Sequence, residues 1–238
     1  MIVRTCCATA ALLLLAAGLP PAVASDGAGA TKVAMPTYTP PLRGAPASRV
    51  GGGTRSAGAA HLVLEAIAPD HTGLTGTAQP TLYWYASEPV AAPLEFTLIA
   101  SDAEKPVVER TLPPARSAGI QAIPLDTMSA TLKPGTEYQW FVSAVSDAAQ
   151  RSRDVTAGGT IRRSDTGAAL RAEVAKADPR SAPLIYAQAG YFYDAVDGLS
   201  RLIAKNPEDA GLRAQRAALL EQVGLGQVAA LDRVGAGR

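Results

Sequence analysis

Cysteine, histidine and net charge are nearly missing from this sequence of 238 residues. The only cysteines are Cys6 and Cys7, and the only histidines are His61 and His71. Both cysteines precede the apolar run from Ala8 to Leu19, which Pro20 and Pro21 break and Ala22-Val23-Ala24 follows. One positive residue, Arg4, stands before that run. A charged start, a short apolar stretch and an A-x-A site are the parts of a secretory signal peptide, and the run is too short for a membrane span. Cleavage is expected after Ala24, so localisation is expected to be periplasmic or secreted. A lipid anchor would need cysteine at the end of the run, not at its start.

The remaining 214 residues (238 less 24) then contain no cysteine. That excludes stabilising disulfides, a thiol nucleophile and a thiolate metal site. Losing Arg4 leaves 21 Lys and Arg against 21 Asp and Glu. Zero net charge argues against nucleic acid and against steering toward an anionic membrane. No later apolar run approaches the roughly 20 residues of a membrane helix. The catalytic signatures are also missing: there is no G-x-S-x-G, H-E-x-x-H, Walker loop or dinucleotide fingerprint. No second ligand stands at a useful spacing from either histidine, so both read as surface residues and no metal or cofactor is expected. The acidic pairs Asp102/Glu104, Asp194/Asp197 and Glu208/Asp209 read as a turn, a solvated helix face and a helix first turn. None has the form of a paired glycosidase site.

What is present is order along the chain. Residues 25–60 are rich in Gly, Pro, Ala, Ser and Thr and read as an extended leader. Residues 61–163 alternate between short apolar–polar runs and turn residues. Strands are predicted over 62–68, 81–86, 94–100, 106–112, 118–124, 137–145 and 154–162, with Thr72-Gly73 and Pro134-Gly135 among the turns. Leu82, Trp84, Leu98, Trp140 and Val142 are the expected core. Tyr138 follows the turn Leu132-Lys133-Pro134-Gly135-Thr136. That placement resembles the tyrosine corner of immunoglobulin-like sandwiches, in which the hydroxyl bonds to backbone upstream. The expected fold is therefore an all-β immunoglobulin or fibronectin-III-like antiparallel sandwich.

Residues 164–238 change to helical character. Helices are expected from Asp165 or Thr166 to about Ala177, from about Pro183 to Gly190, over 191–205, over 208–223 and over 228–234. Thirty-four residues separate Gly190 from Gly224 and Ala195 from Ala229. That is the period of a tetratricopeptide repeat, though the tail holds too few units for a solenoid. A tetratricopeptide-like helical hairpin is expected; the short join at 163–165 is compatible with close packing on the sandwich, but the sequence does not decide whether the two halves form one unit.

One stretch of the leader invites a site. Arg43, Arg49 and Arg55 surround Gly51, Gly52 and Gly53, and together these six could cradle an anion through guanidinium forks and backbone N–H groups. The plainer reading is a linker, or a strap bonded to the sandwich, because no Lys-Ser/Thr follows as in a phosphate loop. Tyr83 and Tyr85 are candidate surface aromatics for a glycan; strand alternation also places aromatics of this run in the core.

The ordered motifs R-G-A-P-A-S-R-V-G-G-G-T-R at 43–55, Pro80–Tyr85, Glu95–Leu98 and Leu132-x-Pro134-Gly135-x-x-Tyr138-x-Trp140, with the aromatic tail, resemble the domain-of-unknown-function 928 family. The resemblance runs from Arg43 to about Val228. It implies an exported bacterial protein with this β-then-α layout and no established activity. The expected function is a non-enzymatic envelope protein that binds another envelope or secreted protein through a sandwich edge or the helical hairpin. An anion- or glycan-binding module is the alternative, and a hydrolase built on carboxylates gathered by the fold has least support.

Overall fold

The computed structural model describes residues 34–41, 49–53 and 62–235. The expected signal peptide, Arg43, Arg55 and His61 lie outside the described residues. In chain order the strands are β1 (Gly51–Gly53), β2 (Val63–Ala66), β3 (Gly73–Thr75), β4 (Thr81–Ala86) and β5 (Leu94–Ala100). They continue with β6 (Val108–Leu112), β7 (Gly119–Pro124), β8 (Glu137–Ala144) and β9 (Val155–Arg163). Five helices follow: α1 (Gly167–Lys176), α2 (Ala182–Gln188), α3 (Phe192–Lys205), α4 (Ala210–Gln222) and α5 (Gly226–Val234).

The strands form two sheets, ordered β1-β2-β4-β7 and β3-β9-β8-β5-β6. All seven predicted strands are present, and in β2, β5 and β8 buried positions alternate with less buried ones as the pattern requires. In β8, Tyr138, Trp140, Val142 and Ala144 are buried while Gln139 between them is exposed. The five expected core residues are each at most 3% exposed. The turn before β8 is closed as expected: the Lys133 amide donates to the Tyr138 hydroxyl at 3.0 Å.

Two short strands depart from the expectation. β3 begins at Gly73, which reads as a turn in sequence, and it pairs parallel to β9. The β region is therefore mixed and not purely antiparallel. Three residues are too few for alternation to register, and Gly73 is required because a Cβ there would come 2.6 Å from the Tyr193 ring. The other addition, β1, consists of three glycines and pairs antiparallel with β2.

β4 is buried on both faces. Leu82 and Trp84 take alternate positions from Tyr83 and Tyr85, and the tyrosines meet the helices. The Tyr83 hydroxyl donates to Asp197 of α3 at 2.9 Å. The Tyr193 hydroxyl donates to the Thr160 carbonyl at 2.9 Å and accepts the Trp140 indole N–H at 3.1 Å. Sheets and helices thus share one hydrophobic core within a single compact unit.

The helical tail repeats itself. α2 and α4 end at Gln188 and Gln222, and α3 and α5 begin at Phe192 and Gly226, each pair 34 positions apart. Gly190 and Gly224 turn the corners at φ +85° and +76°, a conformation that suits glycine. Ala195 and Ala229 are both fully buried, since a larger side chain would hold the paired helices apart. The tail therefore holds two hairpins, with α1 beside the first burying none of its residues.

Candidate functional site

Of the six residues of the arginine–glycine patch, the structure describes four, and it uses them as a strap. Arg49 donates to the carbonyls of Ala68 at 3.1 Å, Val223 at 2.8 Å and Gly224 at 3.3 Å. Val223 and Gly224 follow α4, where carbonyls lack helical partners and a cation is favoured. Val50 exchanges two backbone bonds with Gly158, at 2.9 and 2.8 Å. Gly51, Gly52 and Gly53 then pair with Glu65, Leu64 and Val63. Extended strand backbone does not turn successive N–H groups to one point, and the Glu65 carboxylate lies against Gly51. Arg49 is thus engaged with carbonyls, and the glycines let the chain cross close over both sheets.

The aromatic candidates are also engaged. Tyr83 and Tyr85 are each 8% exposed, so neither offers a face for a sugar to stack on. His71 is not an isolated surface residue: its Nε2 bonds the Tyr38 hydroxyl at 2.8 Å, and its Nδ1 meets Asp70 at 3.1 Å. The order hydroxyl–imidazole–carboxylate looks like a relay. However, burial, helped by the Asp70 charge, pushes the Tyr38 phenol well above its ordinary range, so it is a poor nucleophile. This trio is a clasp.

Asp194 and Asp197 do not lie on a solvated face. Asp194 accepts the Gly76 amide at 2.9 Å and the Thr77 hydroxyl at 2.8 Å. Burial raises its pKa despite those bonds. Asp197 receives the Tyr83 hydroxyl and pairs with Arg201 at 2.8 Å. Both carboxylates tie α3 to the β region. Asp209 caps α4 through the Leu212 amide at 3.2 Å, and the Arg180 guanidinium holds its carboxyl below the usual range. Asp102 and Glu104 are exposed in a turn. Among the described residues no cluster of His, Cys, Asp and Glu is placed to hold a metal ion, and no helix is long and apolar enough to cross a membrane.

β7 and α5 meet at an open surface. A cleft of about 480 Å³ opens there, lined by Tyr85, Gly119, Ile120, Arg213, Leu231 and Val234 among others. A second hollow of about 640 Å³ shares Tyr85, Val228 and Leu231 with it and extends toward Glu65 and Gln227. β7 ends its sheet, so one backbone edge faces away from β4. Leu231 and Val234 on the rim are 48% and 80% exposed.

Beneath that rim lies a buried ion pair. Arg216 and Asp232 bond through two contacts of 2.8 and 2.6 Å, and Arg216 also donates to the Ser200 hydroxyl at 2.9 Å. These bonds join α3, α4 and α5. The cleft was legible only in part, since the sequence reads at 228–234 as no more than a final helical turn or two, with nothing to place it beside β7. Its signal is the spacing Val228, Leu231, Val234, which continues an apolar stripe past the buried Val228 and Ala229.

A family model described as Domain of Unknown Function (DUF928) matches residues 50–232. No curated protein matches the chain. The match begins at the strand bridge of Val50 and ends at Asp232 of the buried ion pair, so it takes in both sheets and the helical tail together. With more than half of its length matched, the chain belongs to the family described as Domain of Unknown Function (DUF928).

Proposed function

We propose that this protein is an exported, non-enzymatic envelope component that binds another protein at the junction of the β region and the helical tail. The cleft carries this reading. It combines an edge strand, two exposed apolar side chains on α5 and a neighbouring arginine, which is the composition of a protein-docking patch. Unpaired backbone along β7 adds the means to hold an extended segment by strand addition. Export rests on the signal pattern of residues 1–24, and neutrality of the remaining chain fits a protein partner better than a polyanion.

The β region is read as an immunoglobulin- or fibronectin-III-like sandwich, supported by the Tyr138 corner. The tail is read as tetratricopeptide-like, supported by the 34-residue offset of its two hairpins. A photocrosslinking residue placed at Val234 of the full chain, expressed in its own cells, should give a discrete protein adduct. The same group at Glu109 on β6 should not. Adducts at neither position, or the same adducts at both, refute the docking site.

A further inference from the structure

The helical tail already holds a peptide, and it is the chain's own. Residues 34–41 run extended across α4: Pro36 and Tyr38 are buried, while Met35, Thr37 and Thr39 face outward. Gln222 grips the backbone with both ends of its amide. Its Oε1 accepts the Tyr38 N–H at 2.8 Å, and its Nε2 donates to the Pro36 carbonyl at 2.9 Å. Gln215, two helical turns earlier on the same face, repeats half of this grip by donating its Nε2 to the Ala34 carbonyl at 2.7 Å. Tyr38 fills a slot between the β region and α3, stacked on His71 at 5.8 Å and edge-on to Phe192 at 5.5 Å. Beyond it, the Thr39 N–H donates to the Ala187 carbonyl at 3.2 Å.

The second half of the Gln215 grip is missing. In the Gln222 pattern, an amide takes the carbonyl of one residue and the N–H of the residue two further on. Applied to Gln215 and Ala34, the donor would be the N–H of residue 36, and residue 36 is proline. Gln215 is 7% exposed, and its Oε1 is buried without a partner. An unpaired buried oxygen of this kind is destabilising. The groove therefore has one acceptor more than its present occupant satisfies.

We propose that the Gln215–Gln222 face of α4, with the His71–Phe192 slot, is a docking site for an extended protein segment. That segment carries tyrosine two positions after a residue with a free N–H, and residues 34–41 are its displaceable internal occupant. Recognition is through main chain plus one aromatic anchor, the usual economy of strand-like peptide binding. The site lies apart from the β7–α5 cleft and does not depend on it.

The test uses full-length protein and two labelled peptides, one with the sequence of residues 34–41 and one with Pro36→Ala. Fluorescence anisotropy reads binding to the wild-type chain and to Tyr38→Ala, whose internal segment has lost its anchor. Tyr38→Ala should bind both peptides at least about tenfold more tightly than wild type, because the internal occupant no longer competes. The Pro36→Ala peptide should bind about fivefold or more tighter than the native sequence, and Gln215→Met should abolish that preference. The same ranking should hold, at lower affinity, on the wild-type chain, so it does not depend on how well Tyr38→Ala folds. The proposal is overturned if the two peptides bind equally, if the preference survives Gln215→Met, or if neither peptide binds any of the chains.

Discussion

Removing one side of the Arg216–Asp232 pair should unfold the tail from within. Both side chains are less than a tenth exposed, at 8% and 4%. The guanidinium makes two bonds to the carboxylate and one to Ser200, so its charge is satisfied entirely by protein. Asp232→Ala leaves that cation buried with only a neutral hydroxyl, a situation that costs about 3–5 kcal/mol. Arg216→Met leaves a carboxylate instead, but Arg213 already stands 3.9 Å from Asp232 and is 23% exposed. A small movement brings that second guanidinium into contact, so this loss should fall at or below about 3 kcal/mol. Replacing both partners by apolar residues, Arg216→Met with Asp232→Leu, removes both desolvation penalties and should land near the wild type.

Urea unfolding of the full chain reads all three, with unchanged slopes showing that the same surface is exposed in each. The expected order of loss is Asp232→Ala, then Arg216→Met, then the double variant. If Arg216→Met were the more damaging single change, or the double variant the worst, the electrostatic reasoning would be wrong and packing would be the main role of these side chains.

Two further effects follow from close packing and burial. Gly158→Ala should destabilise by about 1–3 kcal/mol, because the new Cβ meets the Phe141 ring and sits 2.7 Å from the Trp140 carbonyl, which the β8–β9 ladder holds in place; a change in urea midpoint within error of wild type would count against that close approach. Burial raises the phenols of Tyr38, Tyr83 and Tyr193 above the ordinary value near 10. The folded protein then keeps protons that the unfolded chain releases, so the stability from these groups is complete below about pH 10 and lost as pH rises further. Each phenol contributes a slope of up to about 1.4 kcal/mol per pH unit there. Urea midpoints at about pH 8 and about pH 11 should fall steeply, less so in Tyr83→Phe, and a flat profile would contradict the burial of these hydroxyls.

The matched segment contains the aspartate anchors, the buried ion pair and the shared core apart from Tyr38, and it leaves the internal peptide at 34–41 on its N-terminal side. Binding the internal segment is thus a property of this chain that lies partly outside the matched region.

The sequence by itself determined the local elements. Strands at 81–86 and 94–100, the Tyr138 corner and the glycine stops at 190 and 224 were legible, because alternation, turn chemistry and left-handed backbone are decided by near neighbours. It also carried the 34-residue offset that relates the two hairpins. The tertiary structure decided what each polar residue is for. Three glycines in β1 carry no side chain to alternate, and β3 is too short to show its face, so only pairing revealed either strand. Arg49 found its carbonyl partners at Val223 and Gly224, more than 170 positions away. Asp197 became an anchor because β4 presents the Tyr83 hydroxyl to α3, and Asp194 because the loop after β3 presents the Gly76 amide and the Thr77 hydroxyl. Gln222 closed on Tyr38 across 184 positions. Hydrogen bonds of that reach leave no periodic trace in a sequence, since they depend on which surfaces the buried apolar residues have already brought together.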